Sequence, residues 1–147
     1  MKVIAAVVIA ISLTSCTPEQ IAIYSQFVWD TVEVEGKPDS PPQLAASRQL
    51  CVGSGAHSCY DPIHHEMWIE PQPIEGSTIY VIDHELTHGL LRNDPVQAAC
   101  AAEAVSKEAR QACSHDERFD EVEAQVNALF HDWKWAKWKR EANAYYS

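Results

Sequence analysis

The chain has 147 residues, which by length is one domain able to hold a modest hydrophobic core. Its 21 acidic and 11 basic residues leave a net charge of −10, an excess that argues against nucleic acid as a partner. Neither internal repeats nor low-complexity tracts occur in it.

In chain order, residues 1–15 read as an export signal, with Lys2 as the positive charge and an apolar run over 3–11. That run is too short to span a bilayer, which takes about 20 residues in a helix. Leu13-Thr14-Ser15-Cys16 follows as a cleavage site and resembles a bacterial lipobox. The resemblance implies that Cys16 becomes the lipid-modified first residue of the mature protein, anchored to a membrane of the cell envelope. An ordinary secretory signal with a stray cysteine is the alternative. Residues 16–27 are expected to tether the anchor, in part as a short helix, to a domain over 28–147. At the start of that domain, Val32 and Val34 alternate with Thr31, Glu33 and Glu35, so 28–35 reads as a strand. A turn-rich connection over 36–42 and a short helix over 43–51 come next. Over 63–70, Ile63, His65, Met67 and Ile69 alternate with His64, Glu66, Trp68 and Glu70, which predicts a second strand. Successive strand residues face opposite ways, so His64 and His65 read as surface histidines rather than joint metal ligands.

Cys51, Cys59, Cys100 and Cys113 remain once Cys16 is set aside, and an even number in an exported chain suggests disulfides. Of three connectivities, Cys51–Cys59 with Cys100–Cys113 is favoured, because each pair closes a short segment. A cysteine zinc site is the alternative, and no Cys-x-x-Cys spacing supports it.

Helices are expected over 77–92, 95–112 and 115–140. The first opens after Gly76 with Ser77 as N-cap and carries a buried stripe of Ile79, Ile82, Leu86 and Leu90. Within it stands His84-Glu85-Leu86-Thr87-His88. Residues four apart share a helix face, so His84 and His88 can aim ring nitrogens at one metal ion, and Glu85 is placed to take a proton from water.

At this motif the chain resembles the zincin superfamily of zinc peptidases, and gluzincins more than metzincins. Metzincins continue with a glycine and a third ligand where this chain has Leu91 and Asp94; Asp94 with Pro95 reads instead as the N-cap and N1 pair of the next helix. Gluzincins take a glutamate from a later helix, which Glu121-Val122-Glu123-Ala124-Gln125 resembles, with Gln125 in place of an acid. The resemblance implies Glu121 as third ligand, with Glu123, Glu117, Glu103 and Asp94 as the other carboxylates open to the role. Ser114-His115-Asp116-Glu117 is a Ser-x-x-Glu capping box that would start this helix, and Ala124 and Ala128 would let Glu121's side approach the motif helix. Gln125 would support a ligand from behind. By analogy with zincins, the strand before the motif helix would be a sheet edge receiving an extended peptide.

Further along, Trp133, Trp135 and Trp138 lie among Lys134, Lys137, Lys139 and Arg140, a mixture suited to a lipid interface or to sugars. Val122, Val126, Leu129 and Trp133 form a stripe that assigns at least Trp133 to the core.

Strands first and helices after predict an α+β fold, with a small sheet packed on the motif helix and a later ligand-bearing helix. The expected function is that of a lipid-anchored zinc (Zn2+) metallopeptidase with Glu85 as general base, acting on a protein or cell-wall peptide. A catalytically weak zincin-like lipoprotein with a structural zinc or a partner-binding role is the alternative. His115, His131, Tyr145 and Tyr146 are the candidates for stabilising the oxyanion.

Overall fold

The computed structural model describes residues 18–51, 58–70 and 75–146, with 48, 50, 75–78 and 134–146 as backbone only. The export signal, Cys16 and the loop over 52–57 fall outside the described residues, as do the side chains of Trp135, Trp138, Tyr145 and Tyr146. The fold is α+β, as the order of elements predicts, with five α-helices and a three-stranded sheet among the described residues. None of those helices is long and apolar enough to cross a membrane.

Helix α1, Pro18–Thr31, buries Ile21, Tyr24, Ser25, Val28 and Trp29. This helical spacing, running on to the buried Val32, overrides the local alternation that predicts a strand over 28–35. The Val32 amide still donates to the Val28 carbonyl at 2.9 Å. Residues 18–27, expected as a tether, are thus part of a helix whose Ile21 and Tyr24 reach the core. Lys37 closes this end of the helix by donating through Nζ to the Trp29 and Val32 carbonyls at 2.7 and 2.8 Å. It follows Gly36, whose φ of 78° lets the chain reverse.

Strand β1, Gln43–Leu44, and a 3-10 turn, Arg48–Cys51, occupy the segment expected as one short helix. Strands β2, Ser58–Asp61, and β3, Glu66–Ile69, complete the sheet in the order β1-β3-β2, β1 parallel and β2 antiparallel to β3. β3 is therefore central, which corrects the expectation that the strand before the motif helix is an edge; β2 is an edge strand. Met67 and Ile69 are buried as the alternation predicts. The strand starts only at Glu66 because 62–65 form the turn from β2, where His65 takes a left-handed φ of 54°. Its ring is fixed there by Tyr60 Oη at 2.8 Å and by the Ser40 carbonyl at 2.7 Å.

Helix α2, Glu75–Leu90, buries the predicted stripe of Ile79, Ile82, Leu86 and Leu90. The core joins these residues to Tyr24 and Val28 of α1, to Met67 and to Phe119, Val122 and Val126 of helix α5, Glu117–Tyr146. Leu129 and Trp133 pack against it, in line with their predicted stripe. At Gly89 a Cβ would come within 3.2 Å of Trp29 and Pro42, so glycine allows α2 to lie close on them.

The single helix expected over 95–112 is two: α3, Pro95–Glu103, capped by Asp94, and α4, Lys107–Cys113, capped by Ser106. A continuous helix would hold residues 100 and 113 roughly 20 Å apart. In the hairpin their Cα atoms are 5.6 Å apart and the Cys100–Cys113 disulfide forms, as does Cys51–Cys59. Both pairings are those expected.

Candidate metal centre

Helix α2 carries His84 and His88 one turn apart, and the short connection from α4 to α5 delivers His115 to them. One ligand atom from each of the three lies within 4.8 Å of the others. Ring centroids are 4.9 Å apart for His84 and His88, 5.1 Å for His84 and His115, and 4.7 Å for His88 and His115. The buried ring of Phe119 lies 4.6 to 5.0 Å from all three, forming an apolar floor beneath them.

Hydrogen bonds decide which nitrogens face inward. His84 Nδ1 donates to Glu123 Oε1 at 2.9 Å, and His115 Nδ1 donates to the Gln111 carbonyl at 3.0 Å. A neutral imidazole has one N–H, so each Nε2 then presents a lone pair. These two Nε2 atoms are 3.2 Å apart. At that distance the two nitrogens can share a proton or a metal ion between them. Ligand nitrogens about 2.0–2.1 Å from a tetrahedral zinc lie roughly 3.3 Å from one another, a spacing that the His84–His115 pair matches, while the set of three spreads to within 4.8 Å. His88 is suited to bind as a neutral ligand: burial first, and then its two histidine neighbours, push its imidazole down to about 3.

Glu85 is buried beside His84 and shares two adjoining cavities with it. Burial pushes its carboxyl up to about 7. Asp83 is buried one residue before the cluster and accepts from Tyr24 Oη at 2.7 Å, which ties α1 to the motif helix. Burial raises its carboxyl to about 7, the Tyr24 bond opposing and Glu123 adding to the shift.

The structure brings Glu121 no nearer the histidines than an exposed position beside Arg118, 3.8 Å away. Two facts account for this. The helix starts at Glu117 with Asp116 as its cap, accepting from the Phe119 amide at 2.9 Å, rather than at the Ser114 box; Ser114 instead ends α4. Burial of Phe119, Val122 and Val126 then sets the inward face. At 3.6 residues per turn Glu121 lies ~130° from the centre of that stripe and Glu123 ~70°. Ala124 and Ala128, expected to face α2, are exposed, as is Gln125. Glu123 holds the supporting position that was expected of Gln125, and Asp94 is engaged by the Val96 and Gln97 amides. Glu103 and Glu117 are exposed and lie outside the cluster.

His115 is the member of the cluster that its local sequence assigns to another task, since the capping box places it within the first turn of a helix. The signal that could have found it is Asp116, an alternative cap that leaves His115 in a connection immediately after a disulfide cysteine. Of the other histidines, His64 pairs with Asp61 at 2.6 Å and His131 is exposed on α5. No family model matches the chain, and no curated protein or solved structure matches it either.

Proposed function

We propose that this protein is a zinc metallopeptidase of zincin type, with His84, His88 and His115 holding the ion and Glu85 acting as general base. The observation that carries the reading is the convergence of three imidazoles, two with Nε2 atoms 3.2 Å apart, next to a buried glutamate in the His-Glu-x-x-His order. Three imidazoles with a fourth position open are a recurrent ligand set of catalytic zinc, and a purely structural site has no use for Glu85. The histidine set takes the place of the gluzincin glutamate.

Zinc held by His84, His88 and His115 would supply Lewis acidity and a water acidified towards a pKa of ~7. Glu85 accepts a proton as water attacks the peptide carbonyl and returns it to the departing amine. Glu123 holds the His84 ring through Nδ1, keeping Nε2 directed inward. Phe119 closes the floor against water. An extended peptide would lie along β2, whose Ser58, Cys59 and Tyr60 border the cleft at the sheet edge. Cys16 would carry the lipid that holds the domain at a membrane of the cell envelope, where protein or cell-wall peptides are the substrates in reach.

The test is metal content after dialysis together with hydrolysis of a quenched-fluorescence peptide library. Wild-type protein is expected to retain about one zinc and His115→Ala to lose it. Glu85→Gln is expected to retain zinc while hydrolysis falls by about 100-fold or more. Metal-free wild-type protein, or full activity in Glu85→Gln, would overturn the proposal.

A further inference from the structure

The cavity beside the histidine cluster is about 430 Å³ and departs from the rest of the molecule in charge. The chain as a whole carries −10, yet this cavity is lined by Arg92 and Arg110, with Glu85 as the only acid among the described residues that line it. Each arginine comes from a segment that also delivers a histidine: Arg92 follows His88 by four residues, and Arg110 precedes His115 by five. Arg92 is held in place by donating through Nε to the Pro62 carbonyl at 2.7 Å and through an Nη to the Ile63 carbonyl at 3.0 Å. Its remaining N–H donors are left for a ligand. Arg110 stands exposed on α4 at the mouth of the same cavity. The adjoining cavity, which shares Ser58, His84 and Glu85, has Glu123 as its other charged residue. The cleft is therefore polarised, cationic on one flank of Glu85 and anionic on the other.

We propose that the arginine flank binds a carboxylate of the peptide substrate, so that the enzyme selects chains with a negative charge close to the bond it cuts. The inference rests on the peptidase reading and names the substrate class for the same site. Guanidinium groups suit carboxylates because their N–H donors match both oxygens. The carboxylate can come from the chain's C-terminus or from an Asp or Glu side chain.

Titration calorimetry on the full-length protein carrying Glu85→Gln, which prevents turnover, tests this with two pairs of probes. The first pair is acetyl-Ala-Ala-Ala as free acid and as amide; the second is acetyl-Ala-Asp-Ala-amide and its Asn counterpart. We expect the charged member of at least one pair to bind about tenfold tighter or better. Adding Arg110→Gln is expected to cut that preference to about threefold or less. Arg118→Gln, on an exposed arginine outside the cavity, is expected to leave it unchanged. Preference in the first pair places the carboxylate at the chain end and preference in the second on a side chain; either supports the proposal. Absence of preference in both pairs, or a preference that survives Arg110→Gln, overturns it. Zinc content of the same samples separates the two readings. A zinc-loaded protein without preference refutes the carboxylate site alone, whereas a metal-free protein that still discriminates through Arg110 refutes the peptidase and leaves the anion site standing.

Discussion

Glu121 and Glu123 differ by two positions on one helix, and that difference assigns them unrelated tasks. Glu123 accepts the Nδ1 proton of His84, so it fixes the ring's tautomer and raises its basicity from outside the proposed ligand set. Removing such a partner typically costs 10–100-fold in metal affinity. Glu123→Gln is expected to weaken zinc by about that factor, because an amide orients the ring less strongly than a carboxylate. Glu121→Gln removes only an exposed pairing with Arg118 and is expected to leave affinity unchanged. Competition against a graded series of chelators ranks the two variants. Equal losses would show that long-range charge, rather than the hydrogen bond to His84, is what the site responds to.

At the scale of elements, the α3–α4 hairpin is the device that positions His115. Cys113 lies two residues before His115 and is bonded to Cys100 across the hairpin. On the other side of the histidine, Asp116 accepts from Gln97 Nε2 of α3 at 3.0 Å while capping α5. The histidine is thus held between two ties to one helix. Neither His84 nor His88 depends on these ties, since both are carried by α2 against the core. Replacing Cys100 and Cys113 together by serine is expected to weaken zinc binding by about tenfold or more while α2 and the core persist. Far-ultraviolet circular dichroism and chelator competition on the same sample check this. Unaltered affinity in the double variant would mean that the Gln97–Asp116 bond and the packing of Phe119 are sufficient.

For the whole molecule, the ion would bridge α2 to the segment between α4 and α5, beside the packing of Phe119 against the histidines. A ligand that binds only the folded state stabilises it by about 2.7 kcal/mol at a concentration 100 times its Kd. For a domain of this size that corresponds to a rise of about 10 °C in Tm. Removing zinc with a chelator is expected to lower Tm by that order in wild type and to have no effect in His88→Ala. A chelator effect of equal size in both proteins would locate the ion elsewhere.

Much of this was legible in the chain itself where the determinants are local. The motif helix and its stripe of Ile79, Ile82, Leu86 and Leu90 follow from a 3.6-residue period sustained over several turns. The Asp94–Pro95 helix start follows from capping chemistry, and the two cysteine pairings follow from short spacings. The strand expected over 28–35 failed because β propensity is weak beside the burial of Val28, Trp29 and Val32 against α2 and α5. The third histidine was beyond local reading for a related reason. Whether Ser114 or Asp116 caps α5 depends on where α4 ends and on a bond from Gln97, nineteen residues away. Whether Glu121 or Glu123 faces His84 depends on which side of α5 is buried by α2. Periodicity shows that a helix has an inward face and leaves open which element will cover it. Local sequence determined His84, Glu85 and His88 as a unit, because one helical turn suffices to align them; only tertiary packing could bring His115 to them, because its distance from His84 is set by a hairpin, a disulfide and a helix cap acting together.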